Sequence, residues 1–184
     1  MNSGKKEKSQ TSIRFSGVGG MGVILSSIIL GKAAIYDNKN AVQTQSYGAE
    51  QRGSKVKSDI LISDLDDPSY PIFDKVDILV AFSQEAYDYY IDSTHKDSLL
   101  LINSDLIDKQ LKKRNFYNIA ANTIAEELLS KKITNVVMLG ALIKISKIVS
   151  KESILKAIKE SVPKSYVDLN FKAFERGYDY IQED

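Results

Sequence analysis

The stretch Gly17-Val18-Gly19-Gly20-Met21-Gly22 constrains this chain more than any other. It follows a short alternating run, Ile13-Arg14-Phe15-Ser16, and precedes Ile24, Ile28, Gly31 and Ile35, spaced four, three and four. Alternation predicts a strand and the second spacing a helix. A strand that turns through glycines into a helix is the opening unit of an α/β protein. Glycine permits positive φ and lets backbone N–H groups come close to a ligand. The helix that follows favours an anion at its amino end.

The rest of the chain continues the alternation of strands and helices. Ala41–Ser46 reads as a strand, Tyr47–Gly53 as a loop and Ser54–Ser63 as a strand. In the last, Val56, Ser58, Ile60 and Ile62 share one face and Lys55, Lys57, Asp59 and Leu61 the other. The loop is too short for a parallel crossover, so these two strands run antiparallel. Asp77–Phe82 and Ser98–Asn103 are near-continuously apolar, as strands covered on both faces are. Phe116–Ile119 is a short further strand. Helices are expected over Gln84–Asp92, Asn122–Ser130 and Asn135–Val149, the last apolar nearly all round and hence deeply packed. Ser150 can cap a helix whose stripe is Ile154, Leu155, Ile158 and Val162. Pro163 separates it from a final helix bearing Phe171, Phe174, Tyr178 and Ile181.

These elements predict a three-layer α/β/α sandwich with a mixed, mostly parallel, Rossmann-like sheet. At 184 residues one domain is expected, over residues 12–184, behind a disordered polar tail over residues 1–11. Hydrophobic residues make up 43%, enough for a core. The net charge is +1, and the segment Met1–Ser12, with Lys5, Lys6 and Lys8 against Glu7, holds that excess. The body therefore lacks the basic surplus that nucleic-acid binding needs. No apolar stretch reaches about 18 residues, so no membrane span is expected. The polar start is neither a signal peptide nor a lipidation signal, and a cytoplasmic location is expected.

Cysteine is absent and His95 is the single histidine. A thiolate zinc site and an iron–sulfur cluster are thereby excluded for this chain alone, and a His-based triad or multi-His metal site is not expected. The chemistry falls to the strand ends. The spacing of Gly17, Gly19, Gly20 and Gly22 satisfies the dinucleotide fingerprint. The acidic residue that should close the second strand is missing, because that strand ends Gln43-Thr44-Gln45-Ser46. No Lys-Ser/Thr pair makes it a phosphate-binding Walker loop. An anionic ligand, an anionic partner group and a bare tight turn remain open.

A second motif is Gln45-Ser46-Tyr47-Gly48-Ala49-Glu50-Gln51-Arg52-Gly53. Arg52 offers planar, bidentate recognition of a carboxylate or phosphate, and Lys55 and Lys57 extend a basic stripe. A solvated loop with an Arg52–Glu50 pair explains the same residues. Ligands of open α/β sheets bind beyond the strands' carboxyl ends, which adds Ser83 and Asn103, unless both merely cap the following helices. His95 is expected in an exposed, inert loop. Asp64, Asp66 and Asp67 read as a solvated turn rather than a metal site. Tyr87, Tyr89 and Tyr90 suit an interface or a half-buried surface.

Taken together, the glycine turn, the Tyr47–Gly53 loop, Ser58–Ser63, Asp77–Phe82, Asn135–Ala141 and Asn170–Gly177 resemble the gamma subunit of 2-oxoacid:ferredoxin oxidoreductases, over roughly residues 12–180. The Tyr-Gly-x-Glu-x-Arg-Gly pattern of Tyr47, Gly48, Glu50, Arg52 and Gly53 is its distinctive part. The resemblance implies a multi-subunit enzyme that decarboxylates a 2-oxoacid on thiamine diphosphate, sends electrons through iron–sulfur clusters to ferredoxin, and passes the acyl group to coenzyme A. The implied partners are thiamine-binding alpha and beta subunits and a ferredoxin-like delta subunit. This chain has neither cysteines nor a Gly-Asp-Gly thiamine motif, so it is expected to bind no cofactor alone, to hold no catalytic residue and to be inactive in isolation, where it can pair as a homodimer. The implied role is assembly and coenzyme A positioning; the alternatives are a subunit of a pyruvate- or indolepyruvate-type enzyme that acts purely as an assembly scaffold, and a stand-alone nucleotide-binding module. Gln45–Glu50 leans toward 2-oxoglutarate-type members, while Gln51-Arg52-Gly53 is also similar to the smaller indolepyruvate oxidoreductase subunit. Met21 stands where the family commonly has glutamine, and Ser54 where a second glycine is frequent.

Overall fold

The strand that feeds the glycine turn, β1 (Gln10–Val18), lies inside a six-stranded sheet. The computed structural model describes residues 10–47, 55–65, 73–108 and 116–181. The other strands are β2 (Asn40–Tyr47), β3 (Lys55–Ser63), β4 (Val76–Ala81), β5 (Thr94–Asn103) and β6 (Phe116–Ile119), in the order β2-β3-β1-β4-β5-β6. β3 is antiparallel to both its neighbours, and the pairs β1–β4, β4–β5 and β5–β6 are parallel. The sheet is therefore mixed and mostly parallel, as the short β2–β3 connection requires.

Alternation assigns each strand's two faces. Ile13, Phe15, Val56, Ile60, Ile62, Ile78, Val80, Phe82 and Leu101 join the larger core. It is roofed by α1 (Val23–Tyr36), α3 (Ala121–Glu127), α4 (Thr134–Ser146), α5 (Lys151–Ser161) and α6 (Val167–Tyr180). Leu79, Ala81, Leu100 and Ile102 face a smaller core under α2 (Gln84–Tyr90), closed by Tyr87, Ile91 and Ile107. The sandwich has three layers, one much thinner than the other. Ser58, on the thick side, is kept there by Gln43 Nε2, which donates to Ser58 Oγ at 2.8 Å and to Ser27 Oγ at 2.6 Å.

Most boundaries differ from the sequence reading by a few residues, and three of the differences change what a residue does. β1 begins at Gln10, so Gln10 and Thr11, assigned to a disordered tail, pair with Ser63 and Ile62 at the far end of β3. Residues 1–9 lie outside the described residues. β5 begins at Thr94, which pairs with Val76 before a bulge, so His95 is an exposed strand residue rather than a loop residue. The polar run His95-Lys96-Asp97 concealed this, because it faces solvent. α2 ends at Tyr90 and a single 3-10 turn, Ile91–Ser93, completes it.

Under the thin layer the sheet buries a charge pair. Arg14, 3% exposed, donates through Nε and Nη2 to the two carboxylate oxygens of Asp59, 2% exposed, both at 2.7 Å. Its Nη1 donates to Ser93 Oγ at 2.6 Å, and Tyr90 lies 5.3 Å over the guanidinium. A buried pair persists when its geometry is bidentate and its remaining donors are satisfied, as they are here. Lys57 lies 3.1 Å from Asp59, which it shares with Arg14, and Lys55 lies 3.7 Å from Glu85, so both lysines of the expected basic stripe are engaged in ion pairs. Of the tyrosine cluster, Tyr87 is buried in the smaller core and Tyr89 is exposed. Asp64 pairs with Lys39 at 3.5 Å, while Asp66 and Asp67 lie outside the described residues. Among the described residues, no helix is long and apolar enough to cross a membrane.

Two glycines set how α4 sits on α6. A Cβ on Gly140 would stand 2.1 Å from the Phe174 carbonyl oxygen, and one on Gly177 would stand 2.0 Å from that of Val137. Backbone meets backbone, and neither side can retreat by turning a side chain. Alanine normally stabilises a helix interior by about 1 kcal/mol over glycine. Here overpacking reverses the sign, so Gly140→Ala is expected to cost at least ~3 kcal/mol. Thermal unfolding should show a midpoint lowered by roughly 6–12 °C, and an unchanged or raised midpoint contradicts the close crossing.

Asp37 ties the end of α1 to the start of α5. It accepts from the Ser150 N–H at 2.5 Å, the Ser150 hydroxyl at 2.7 Å and the Ser153 hydroxyl at 2.5 Å. Burial pushes its carboxyl up, but these hydrogen bonds outweigh burial and hold it below the ordinary carboxylate value. The stabilisation is full where the unfolded carboxyl is ionised and fades as pH falls below about 4, through the lowered folded value. Denaturant midpoints should therefore fall between pH 6 and pH 3 by less in Asp37→Asn than in the wild type. Equal falls contradict the role given to Asp37.

Candidate functional site

The glycine turn closes over the carboxyl end of β1, where chain direction and side-chain size both matter. Gly17 is packed: a Cβ there would stand 2.9 Å from Val23 Cγ2 and 3.0 Å from Phe82 Cβ. Gly20, at φ +95°, has open space around it and is required by conformation alone. Gly22, at φ +75°, is required twice over, since a Cβ would stand 2.7 Å from the Asn135 side-chain amide. Gly19 is exposed in the turn. Met21 turns inward, its sulfur 3.3 Å from where a Gly17 Cβ would be, and packs on the larger core.

Beside this turn opens a cavity of about 180 Å³. Gly20, Met21 and Phe82 form one wall, Asn103, Leu106 and Asn122 another, and Lys131, Lys132, Thr134 and Asn135 the third. The walls come from the carboxyl ends of β1, β4 and β5 and from the amino ends of α3 and α4, the edge where open α/β sheets bind ligands. Neither α1, which starts after Gly22, nor α4 has a side-chain cap or an acidic residue in its first turn. Both helix amino ends thus keep their positive partial charge. Asn135, 3% exposed, keeps its amide Nδ2 without a hydrogen-bond partner.

The predicted residues separate into three groups. Gly20 and Asn103 line the cavity, with Gly17 and Gly22 shaping the turn behind it. Asn103 also braces its own surroundings, since its Oδ1 accepts from the Asp105 N–H at 3.4 Å and its Nδ2 donates to Asn122 Oδ1 at 3.2 Å. Ser83 caps α2, its hydroxyl accepting from the Ala86 N–H at 3.4 Å, and is not among the lining residues. Tyr47 ends β2, paired with Val56. Gly48, Glu50, Arg52 and Gly53 lie outside the described residues. The strand ends that flank them are on the glycine-turn edge, since Lys55 pairs with Val18.

Sequence reasoning missed Lys131, Lys132 and Asn135. A signal was available: a Lys-Lys step opens onto a helix that is apolar nearly all round, and an asparagine stands in that helix's first turn.

Fold and edge together define an open α/β domain with a glycine-rich turn and a donor-lined cavity at the sheet's carboxyl side. The sequence matches the pyruvate ferredoxin/flavodoxin oxidoreductase family over residues 12–180, and the chain belongs to that family as a gamma-type subunit. It is 45% identical to the 2-oxoglutarate synthase subunit KorC of Methanocaldococcus jannaschii, over 97% of this chain and 98% of that one. It is 32% identical to the pyruvate synthase subunit PorC of the same organism, over 90% and 94%. The crystal structure of a keto/oxoacid ferredoxin oxidoreductase gamma subunit from Geobacter sulfurreducens is 39% identical, with a TM-score of 0.81 over 92% of this chain and 96% of that one. The fold recurs, at 22% identity and a TM-score of 0.85, in the 2-oxoglutarate:ferredoxin oxidoreductase of Magnetococcus marinus, where it matches 97% of this chain but 32% of that one. The chain is thus a subunit of an oxidoreductase complex.

Removing the Ser83 hydroxyl tests its assignment as a cap. Ser83→Ala is expected to cost about 0.5–1 kcal/mol, seen as a small drop in the denaturation midpoint. A loss of several kcal/mol contradicts a simple cap.

Proposed function

We propose that this chain is the subunit without cluster or thiamine in a coenzyme A-acylating 2-oxoacid:ferredoxin oxidoreductase that favours 2-oxoglutarate. The observation that carries the reading is the donor-lined cavity beside the glycine turn, at the free carboxyl edge of the sheet. The 2-oxoglutarate preference is supported by 45% identity to a 2-oxoglutarate synthase subunit against 32% to a pyruvate synthase subunit.

In this reading the thiamine diphosphate sits on alpha and beta subunits, the iron–sulfur clusters reach a ferredoxin-like delta subunit, and ferredoxin accepts the electrons. The 2-oxoacid loses carbon dioxide and an electron pair, the electrons leave singly, and the acyl group joins the coenzyme A sulfur as its thiol gives up a proton. The hard chemistry belongs to the cofactors, and the protein supplies orientation and electrostatics. This chain contributes backbone N–H groups at two helix amino ends, with Lys131, Lys132 and the guanidinium of Arg52, to hold the coenzyme while its thiol reaches a neighbouring subunit. Such positioning lowers the entropic part of the barrier.

The test uses the assembled complex. Arg52→Ala is expected to raise the Michaelis constant for coenzyme A about tenfold or more, as loss of a charged hydrogen bond does, with little change in that for 2-oxoglutarate. An unchanged constant in an intact complex removes Arg52 from coenzyme binding.

A further inference from the structure

We propose that Leu129 is the anchor by which this chain seats in an apolar socket of a companion subunit. The proposal rests on the chain being a subunit of an oxidoreductase complex and stands apart from the coenzyme A reading.

Leu129 is costly where it stands. It follows α3, and the N–H groups of Leu129 and Ser130 donate to the carbonyls of Glu126 and Ala125 at 2.8 and 3.0 Å. That pair of bonds ends a helix through one residue in the left-handed region, most often glycine. Leu129 takes the place at φ +59°. A side chain there is strained against its own backbone. Among the described residues the other positive-φ positions outside glycine are Asn38 and Lys147, both polar.

Packing does not hold Leu129 in place. Its neighbour Leu128 turns inward onto the larger core. Leu129 is 94% exposed, against 62% for Tyr89, the next most exposed large apolar side chain among the described residues. A single exposed leucine is ordinary on a protein surface. Here exposure and strain fall on one residue, and glycine would relieve both. Strain that the chain's own packing does not impose points to a use outside the chain.

The surroundings select the partner. Glu126 and Glu127, in the last turn before Leu129, are each matched within the chain, the first by Lys131 at 3.0 Å and the second by Arg176. Lys132 lines the cavity. The knob therefore rises among balanced ion pairs, which give an anionic lipid surface little to hold. A twofold pair of this chain would need a socket for Leu129 on the same face, since each copy must offer what the other receives. The cavity that Lys131 also lines is walled by amides and lysines, which do not suit a leucine. An apolar socket with a rim of neutral polar groups, on a different protein, does suit it. The complex supplies such companions, and burial there removes from water the surface that Leu129 exposes in the isolated chain.

The test titrates the full chain into its purified companion subunits and melts the chain alone, for wild type, Leu129→Gly, Leu129→Asn and Leu129→Met. Glycine and asparagine accept a positive φ, so those two variants should melt about 1–4 °C above wild type. They should nonetheless bind the companions about tenfold more weakly, or worse. Leu129→Met keeps an apolar side chain and should bind within about threefold of wild type. At saturating chain, all three should turn over like wild type with an unchanged Michaelis constant for coenzyme A, so the outcome is independent of Arg52→Ala and of the coenzyme reading. Companion affinity equal to wild type in both Leu129→Gly and Leu129→Asn overturns the proposal. Lower melting of both also overturns it, because the leucine is then structural. Self-association of the wild-type chain that Leu129→Asn abolishes makes a second copy the occupant and overturns it. Binding of wild type, but not Leu129→Asn, to vesicles of mixed phosphatidylcholine and phosphatidylserine overturns it in favour of a lipid surface.

Discussion

The contact between Gly22 and Asn135 holds the functional edge together. No side chain fits at residue 22 without displacing the Asn135 amide, and the backbone there adopts a left-handed φ that glycine accepts most readily. The contact locks the amino ends of α1 and α4 side by side. Everything else at the edge follows from that. The glycine turn can fold over the end of β1, the lysines before α4 face the same opening, and an amide donor is held buried without a partner. The Gly140–Gly177 crossing acts at a distance to the same end, fixing α4 against α6 so that its amino end cannot drift from the turn.

Much of this was legible in the sequence. The turn was visible because glycines between an alternating run and a helical one have few other uses. β3 was visible because its alternation is strict, and its direction because the loop before it is short. What could not be read depends on strand order. Nothing in the alternation of β1 or β3 marks Arg14 and Asp59 as partners. They form a buried pair because these strands are neighbours and a thin layer of helix covers that face. The start of β5 was hidden for the opposite reason: its first residues are polar because they face water.

The site divides in the same way. Gly20 and Asn103 border the cavity, where their places at strand ends put them by the geometry of open sheets. Ser83 obeyed the same rule and is nonetheless a helix cap, because a small hydroxyl after a strand serves either purpose. Lys131, Lys132 and Asn135 come from a distant part of the chain, and no local pattern ties them to the turn. The tertiary structure brings them together, and their chemistry becomes visible once it does.

The central claim is a division of labour in which the chain positions a coenzyme while neighbours own the reactive groups. Its most direct test is turnover. Coenzyme A-dependent reduction of ferredoxin by 2-oxoglutarate should be measured for this chain alone, for its companion subunits without it, and for the reconstituted complex. Activity is predicted in the reconstituted complex and none in this chain alone. Turnover of a 2-oxoacid by the isolated chain, or full coenzyme A-dependent activity in the companions lacking it, would contradict that prediction.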